Sequence, residues 1–442
     1  MILKIRKDID PILREPTQPV TDFGHEFQLF IDNMIETMNK SNGIGLAAPQ
    51  VGSLKKVFIC GFEGEKEIDL PSFPLTVIAN PEIVFESKEK KKMVEGCLSF
   101  PGLELLIKRP ENIIVKGQDR FGNNVEIKAD KLYSRVIQHE FDHLNSTLMI
   151  DRLEQIRTVF IGTGTMGAKA LKLMARDPQY EIIYVITTDE KEVVGRKSHA
   201  VINPIKEIAQ KHKLNVIQTK KIRTDLDLIE KLKKAKLDLG VIADFGQIVP
   251  KEIIDIPTHE ILNIHPSLLP KYRGPSPIQA TILNGDTIAG VTIMTINEKM
   301  DAGGIVSQAK VKLSPSDTTT TLKNYLSEIA ASLLLNTIPY YMAGDLPPIE
   351  QDETEATYTK MVQKEDGAVD KNTDKATVDR KIRAYDEWPK AYIILNKKRV
   401  QLLAGHFEES GEFVIDRVKP EGKKEMGYQD FLRGYKTKLT FE

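Results

Sequence analysis

Residues 138–167, QHEFDHLNSTLMIDRLEQIRTVFIGTGTMG, decide how the 442-residue chain divides, because two unrelated chemical patterns meet there almost without a spacer. His139-Glu140-Phe141-Asp142-His143 sets two histidines four residues apart. On a helix they share a face, so both imidazoles can bind one ion while Glu140 stands beside it as a proton acceptor. Residues 158–161 then begin a buried-strand pattern that runs into the glycine-rich turn Gly162-Thr163-Gly164-Thr165-Met166-Gly167. Only about residues 153–157 remain as a hinge.

Upstream, Phe27, Phe30, Ile31, Met34, Ile35 and Met38 recur at helical spacing over residues 24–40. Strand-like segments follow at 56–60, 75–79 and 112–116, and QDRFGNNVEIK reads as a hairpin turning at Gly122-Asn123-Asn124. A helix is expected over 132–144, which makes residues 1–154 an α+β domain. Within it, Glu95-Gly96-Cys97-Leu98-Ser99 offers a thiolate as a third protein ligand beside His139 and His143, leaving a fourth position for water. Cys60, inside a strand, reads as a buried thiol.

Downstream, apolar strands alternate with amphipathic helices, which predicts an α/β, parallel, doubly wound sheet over residues 155–343. The GTGTMG turn is a literal match to the dinucleotide fingerprint. Asp189 falls further on than a ribose-binding acid usually does, so a tight strand-to-helix turn is the preferred reading and a nicotinamide site the alternative. Asn263 and His265, two apart at the end of a strand, point the same way at the carboxyl edge of the sheet, where open α/β folds bind ligands. Met300-Asp301-Ala302-Gly303-Gly304 offers a carboxylate within reach of the histidine. The polar, proline-containing residues 344–364 read as a linker. Residues 365–442 read as a small β-barrel with Trp388 as a core anchor, and from 371 onward they carry 16 Lys+Arg against 12 Asp+Glu.

Over the whole chain, 62 Lys+Arg against 63 Asp+Glu give no field that would attract nucleic acid, so RNA binding must come from a local patch. Two cysteines and a charged opening, MILKIRKD, argue against a disulfide framework and a secretory leader. With no long apolar run, a cytoplasmic protein with no membrane partner is expected, and a monomer.

GIGLAAPQVG (residues 43–52), EGCLSFPG and QHEFDHL, in that order, resemble the three motifs of the peptide deformylases. That resemblance implies Fe(II), with Zn, Ni or Co as substitutes, held by Cys97, His139 and His143. It implies Glu140 as general base and acid, and Gln50 with the backbone N–H of Leu98 as the oxyanion site. The longer tail that many relatives carry after this domain is absent from the pattern. NIHPSLLPKYRG (263–274) and MDAGG (300–304) resemble the 10-formyltetrahydrofolate-dependent formyltransferases, which implies a catalytic set of Asn263, His265 and Asp301. The same resemblance implies folate contacts from Ser267, Leu268, Leu269, Pro270, Asp244, Phe245 and Gly246. EQDETEATYTKM and IRAYDEWPKA resemble the methionyl-tRNA formyltransferases, implying a Rossmann-like domain followed by an OB-like tRNA-binding domain, with Arg196 and Lys197 as tRNA contacts.

The expected function is therefore bifunctional: hydrolysis of the formyl group from nascent N-formylmethionyl peptides, at the ribosome, and formyl transfer to initiator methionyl-tRNA. Three alternatives stay open. The transferase half formylates a sugar nucleotide or purine precursor; one half is an inactive binding module; or the sequence joins two separate chains.

Overall fold

The computed structural model describes residues 1–8, 10–65, 71–189 and 203–442. They divide into two compact units, Met1–Gln155 with Met342–Asp345, and Ile156–Tyr341 with Leu346–Glu442.

In the first unit, helix α1 (His25–Lys40) and helix α2 (Lys131–Leu144) accompany strands β1 (Gly45–Ala47), β2 (Val57–Phe62), β3 (Phe73–Glu86), β4 (Lys90–Cys97), β5 (Phe100–Pro110), β6 (Asn112–Gln118) and β7 (Asn124–Asp130). Five strands form an antiparallel sheet in the order β1-β2-β3-β6-β7, and β4 pairs with β5 as a separate hairpin. The period of two along β2 explains why both faces are covered. Val57 and Ile59 join Phe27, Ile31 and Met34 of α1 in one core, whereas Phe58 and Cys60 join Val136, Ile137 and Leu144 of α2 in another. Cys60 is thus a fully buried thiol.

The expected helices and hairpin are present, but the β4–β5 hairpin has no counterpart in the sequence reading. Its polar strand KKKMVEGC lacks the apolar alternation that flags a half-buried strand. Helix α2 is buried nearly all round, including Arg135, Gln138, His139, Glu140, Asp142 and His143. A helix that buries so many polar groups needs partners for them, and those partners build the site described below.

Residues 153–155 join the first unit to strand β8 (Ile156–Gly162) of the second. There follow α3 (Thr165–Met174), β9 (Tyr180–Thr187), α4 (Pro204–Lys211), β10 (Val216–Gln218), α5 (Leu226–Lys234), β11 (Leu239–Ala243), α6 (Lys251–Ile254), β12 (Ile261–His265), α7 (Pro277–Leu283), β13 (Ile288–Thr295), β14 (Ile305–Lys312) and α8 (Thr319–Ala343). The sheet order is β10-β9-β8-β11-β12-β13-β14. Strands β8 to β12 pair in parallel, but β12–β13 and β13–β14 are antiparallel. The all-parallel expectation therefore fails at one edge. Parallel neighbours need a crossover, and residues 296–304 join β13 to β14 as a loop too short to hold one. That loop carries Asp301.

The polar residues after α8 are pinned rather than free. Ile349 bridges Ile305 antiparallel, and Tyr358 bridges Arg273 in parallel. Beyond them, helix α9 (Lys375–Ala384), strands β15 (Ala391–Leu395), β16 (Lys398–Phe407), β17 (Phe413–Pro420) and β18 (Met426–Gly427), and helix α10 (Tyr428–Tyr435) enclose a core of Val378, Val400, Val418 and Phe431. The four strands form an antiparallel sheet in sequence order. Trp388 is 55% exposed, so the expectation that it anchors this core is wrong. It lies in the loop between α9 and β15, and smaller apolar residues fill the interior instead. No helix among the described residues is long and apolar enough to cross a membrane.

Candidate active sites

The first site stands on α2 and the β4–β5 hairpin. Cys97 ends β4, Leu98 and Ser99 make a two-residue turn, and Phe100 pairs back across from Cys97. The turn presents the thiol to the helix face that carries His139 and His143. The ligand atoms of these three residues lie within 4.8 Å of one another, and Cys97 Sγ is 3.3 Å from His143 Nε2. Two imidazoles and a thiolate are the donor set of a borderline divalent cation, and three protein donors leave a coordination position open. The residues present fit such an ion.

A buried ionic network fixes the ligands. His139 donates from Nδ1 to Glu95 Oε2 at 3.0 Å, which leaves its Nε2 lone pair for the cluster. Arg109 grips Glu95 through Nε (2.7 Å) and Nη2 (3.0 Å), and Asp142 through Nη1 (2.7 Å). Arg135 also donates to Glu95, and Arg152 to Asp142 at 2.6 Å. Burial raises the pKa of Glu95, but the hydrogen bonds from His139 and Arg109 outweigh it and hold the carboxyl well below the usual range. Sequence reasoning gave none of these five charged residues, Glu95, Arg109, Arg135, Asp142 and Arg152, a role. Glu95 lies inside a quoted motif, but its arginines sit 14 and 40 positions away, and only the fold reveals the pairing.

Glu140 is buried beside the ligands, with Oε2 lacking any hydrogen-bond partner. Burial pushes its carboxyl up to about 7, partly offset by His139 and Arg109. Gly45 makes room for it: a Cβ there would lie 2.4 Å from Glu140 Oε1. Gln50 is buried at 1% exposure. Its Oε1 accepts from Ala47 N–H at 2.7 Å, which turns Nε2 toward Cys97 Sγ (3.4 Å) and Ser99 Oγ (3.4 Å). The structure thus gathers Gln50, Cys97, Leu98, His139, Glu140 and His143 in one place.

The second site lies at the carboxyl end of β12. His265 is buried, and its Nε2 donates to the Tyr272 carbonyl at 3.0 Å. Asp301 Oδ2 faces Nδ1 at 3.7 Å, outside hydrogen-bond distance, and instead accepts from Gly274 N–H at 2.7 Å. Burial lowers the pKa of His265 and the Asp301 charge opposes this. Asn263, two residues earlier on the strand, is half-buried, and its amide has no hydrogen-bond partner among the described residues. The three predicted residues are therefore brought to one sheet edge.

Ser267, Leu268, Leu269 and Pro270 form a braced loop beside them. Ser267 Oγ donates to Lys271 O at 2.7 Å, Leu269 N–H to Thr292 Oγ1 at 3.2 Å, and Gln308 Nε2 to Leu269 O at 2.8 Å.

Asp244, Phe245 and Gly246 follow β11. The Asp244 carboxylate accepts from Met166 N–H (2.9 Å) and Gly167 N–H (3.4 Å) at the start of α3. This occupies the position where a dinucleotide phosphate would sit, and a Cβ on Gly164 would lie 2.2 Å from Asp244 Oδ2. The glycine-rich turn therefore closes around an internal carboxylate, which removes the nicotinamide alternative. Arg196 and Lys197 lie outside the described residues.

Comparison with known proteins follows the same division. The family model for Polypeptide deformylase matches residues 2–159, that for Formyl transferase residues 156–338, and that for the Formyl transferase C-terminal domain residues 361–413. A methionyl-tRNA formyltransferase from Roseiflexus castenholzii is 34% identical over 302 residues, covering 63% of this chain and 96% of the relative. One from Methylacidiphilum infernorum is 35% identical over 309 residues, covering 63% and 95%. Among solved structures, a peptide deformylase from Thermotoga maritima is 40% identical, covering 35% of this chain and 99% of the other, with a TM-score of 0.31.

Proposed function

We infer the function from membership of two families: the chain belongs to the methionyl-tRNA formyltransferases through its second unit and carries a polypeptide deformylase at its start. It is a bifunctional enzyme that removes the formyl group from N-formylmethionyl peptides and installs it on methionyl-tRNA. The first activity is metal-dependent and the second uses formyl-tetrahydrofolate.

The finer reading is ours. Residues 1–154 form the deformylase domain, 155–343 a Rossmann-like catalytic domain, 344–364 a connecting segment pinned to that domain through Ile349 and Tyr358, and 365–442 an OB-like domain that contacts tRNA through its basic surface, with Arg196 and Lys197 adding contacts. The protein works as a cytoplasmic monomer on initiator methionyl-tRNA and on peptides emerging at the ribosome. Cys97 Sγ and one nitrogen each of His139 and His143 would hold Fe(II). Zn, Ni or Co would fit the same donors.

In the deformylase site, a divalent cation held by Cys97, His139 and His143 would supply Lewis acidity and acidify water. Glu140 accepts a proton from the attacking water and returns it to the peptide nitrogen as the C–N bond breaks, releasing formate and a free amino terminus. Its unpartnered Oε2 in a buried pocket suits that shuttle. Gln50 Nε2 and the Leu98 N–H donate to the developing oxyanion, and the Ala47 hydrogen bond keeps the Gln50 amide from turning over.

In the transferase site, the methionyl amine attacks the formyl carbon of 10-formyltetrahydrofolate. Asn263 donates its free amide to the oxyanion. The Tyr272 carbonyl holds the His265 ring from Nε2, so the proton lost by the amine is received on the Nδ1 side, facing Asp301. That proton passes to the folate nitrogen as its C–N bond to the formyl carbon breaks, and tetrahydrofolate leaves. Residues 244–246 and 267–270 flank this edge and contact the folate.

The observation that carries the reading is the presence of two complete, chemically distinct constellations on separate units. Two assays on the full-length protein test it: formate release from a formylmethionyl peptide and formyl transfer to methionyl-tRNA. Glu140→Ala is expected to lower only the first, by on the order of 10²–10⁴-fold. His265→Ala should lower only the second. Loss of both activities in either variant, or of neither, would overturn the assignment.

A further inference from the structure

Asp301 is held by a residue that lies outside β12 and outside its own loop. Its backbone sits at φ +49°, in the left-handed region that a non-glycine residue occupies only when its surroundings hold it there. Within the loop Asn297 Nδ2 donates to the Ala302 carbonyl at 3.1 Å, and the carbonyls on either side of it are held from outside the loop. The carbonyls of Asp301 and Gly303 both accept from one donor group, the side-chain amide of Gln351, at 2.8 Å each. Gln351 is 9% exposed and lies within the segment read from sequence as an interdomain linker.

The amide is itself oriented. Its Oε1 accepts from Arg273 Nε at 2.9 Å, so Nε2 must face the two carbonyls. Arg273 is fully buried and continues to Glu353 through Nη2 (3.0 Å) and to the Tyr358 hydroxyl through Nη1 (2.9 Å). Gly274, next to Arg273, donates to the Asp301 carboxylate. Gln351 therefore links the segment over residues 349–359 to the Arg273–Gly274 loop and to the Asp301 loop.

We propose that Gln351 is a positioning residue for formyl transfer: by anchoring the Asp301 and Gly303 carbonyls, it keeps the Asp301 carboxylate facing His265. Without the amide, the buried Gly303 carbonyl and the half-buried Asp301 carbonyl lose this donor and the left-handed conformation loses its support. The loop relaxes and the carboxylate withdraws from the imidazole. This rests on the transferase reading above, in which Asp301 acts with His265.

The test uses Gln351→Glu and Gln351→Met in the full-length protein. Glutamate has the same shape and keeps an acceptor for Arg273, but it sets a carboxylate oxygen against two carbonyl oxygens. Methionine fills the space and offers no donor. Both are expected to lower kcat for methionyl-tRNA formylation by roughly 10–100-fold, with KM for methionyl-tRNA within about twofold of wild type. Deformylation by the same samples should be unchanged, which controls for concentration and handling.

An inactive fraction would also lower kcat, so the pH–rate profile supplies the second readout. The charge of Asp301 facing Nδ1 favours the imidazolium, so moving it away lowers the pKa of His265. The acid limb should then shift to lower pH by about half a unit or more. An inactive fraction cannot move that limb. Wild-type kcat in either soluble variant, or a lowered kcat with an unmoved profile in both, overturns the proposal. Asp301→Asn separates the two failures. If it transfers formyl at the wild-type rate, the site reading itself falls; if it is inactive while the Gln351 variants are normal, only this inference falls.

Discussion

Single atoms decide the first site. Gly45 is the clearest case, since any Cβ would press on the Glu140 carboxylate at 2.4 Å. Gly45→Ala is expected to leave the fold intact and lower deformylation by on the order of 10-fold or more, because displacing a catalytic group by about an ångström is that costly; steady-state formate release checks it. Glu95 acts through His139. Replacing it with glutamine keeps the shape but weakens the acceptor for Nδ1–H and removes the charge that two arginines share. Glu95→Gln should lower metal affinity by roughly 10–100-fold, measured by competition with a chromophoric chelator. The ligands were legible in the sequence because their spacing is local or motif-borne, as with His139 and His143 on one turn of helix. The Glu95–Arg109–Asp142 chain was not, since a buried ion pair between distant residues leaves no periodic trace.

At the scale of elements, the hairpin and the strap matter most. The β4–β5 hairpin delivers Cys97 and Leu98 from a tight turn, yet its polar first strand hid it from a pattern-based reading. The strap over residues 349–359 was read as a linker because proline and acidic residues usually mark mobile chain; here Arg273 supplies a buried partner that composition cannot reveal. Arg273→Met should destabilise the second unit by about 2–4 kcal/mol, because buried hydrogen bonds are lost while the exposed Glu353 returns to water. Thermal inactivation of formyl transfer should then occur several degrees lower, with the deformylation midpoint unmoved. The GTGTMG turn shows the opposite failure of pattern reading. It satisfies the fingerprint in letters, but Asp244 fills the helix terminus that would have received a phosphate.

For the whole molecule, the two chemistries differ in what they need. Only the first unit presents a Cys-His-His donor set among the described residues. Dialysis against a strong chelator is expected to abolish deformylation and leave formyl transfer intact, and anaerobic addition of Fe(II) to restore it, followed by both assays on one sample. The change from α+β to strand–helix alternation was visible in sequence because periodicity is a property of every residue in an element. The antiparallel edge of the second sheet was not, since pairing direction depends on how the chain returns.

The three residues between Arg152 and β8 carry a consequence for dosage. A cell that makes this chain makes one installer and one remover of the same group each time, and no change in expression can alter their proportion. Within this chain the balance between installing and removing the group is then set by what each site is supplied with: folate and charged tRNA on one side, and metal and exposed peptide on the other.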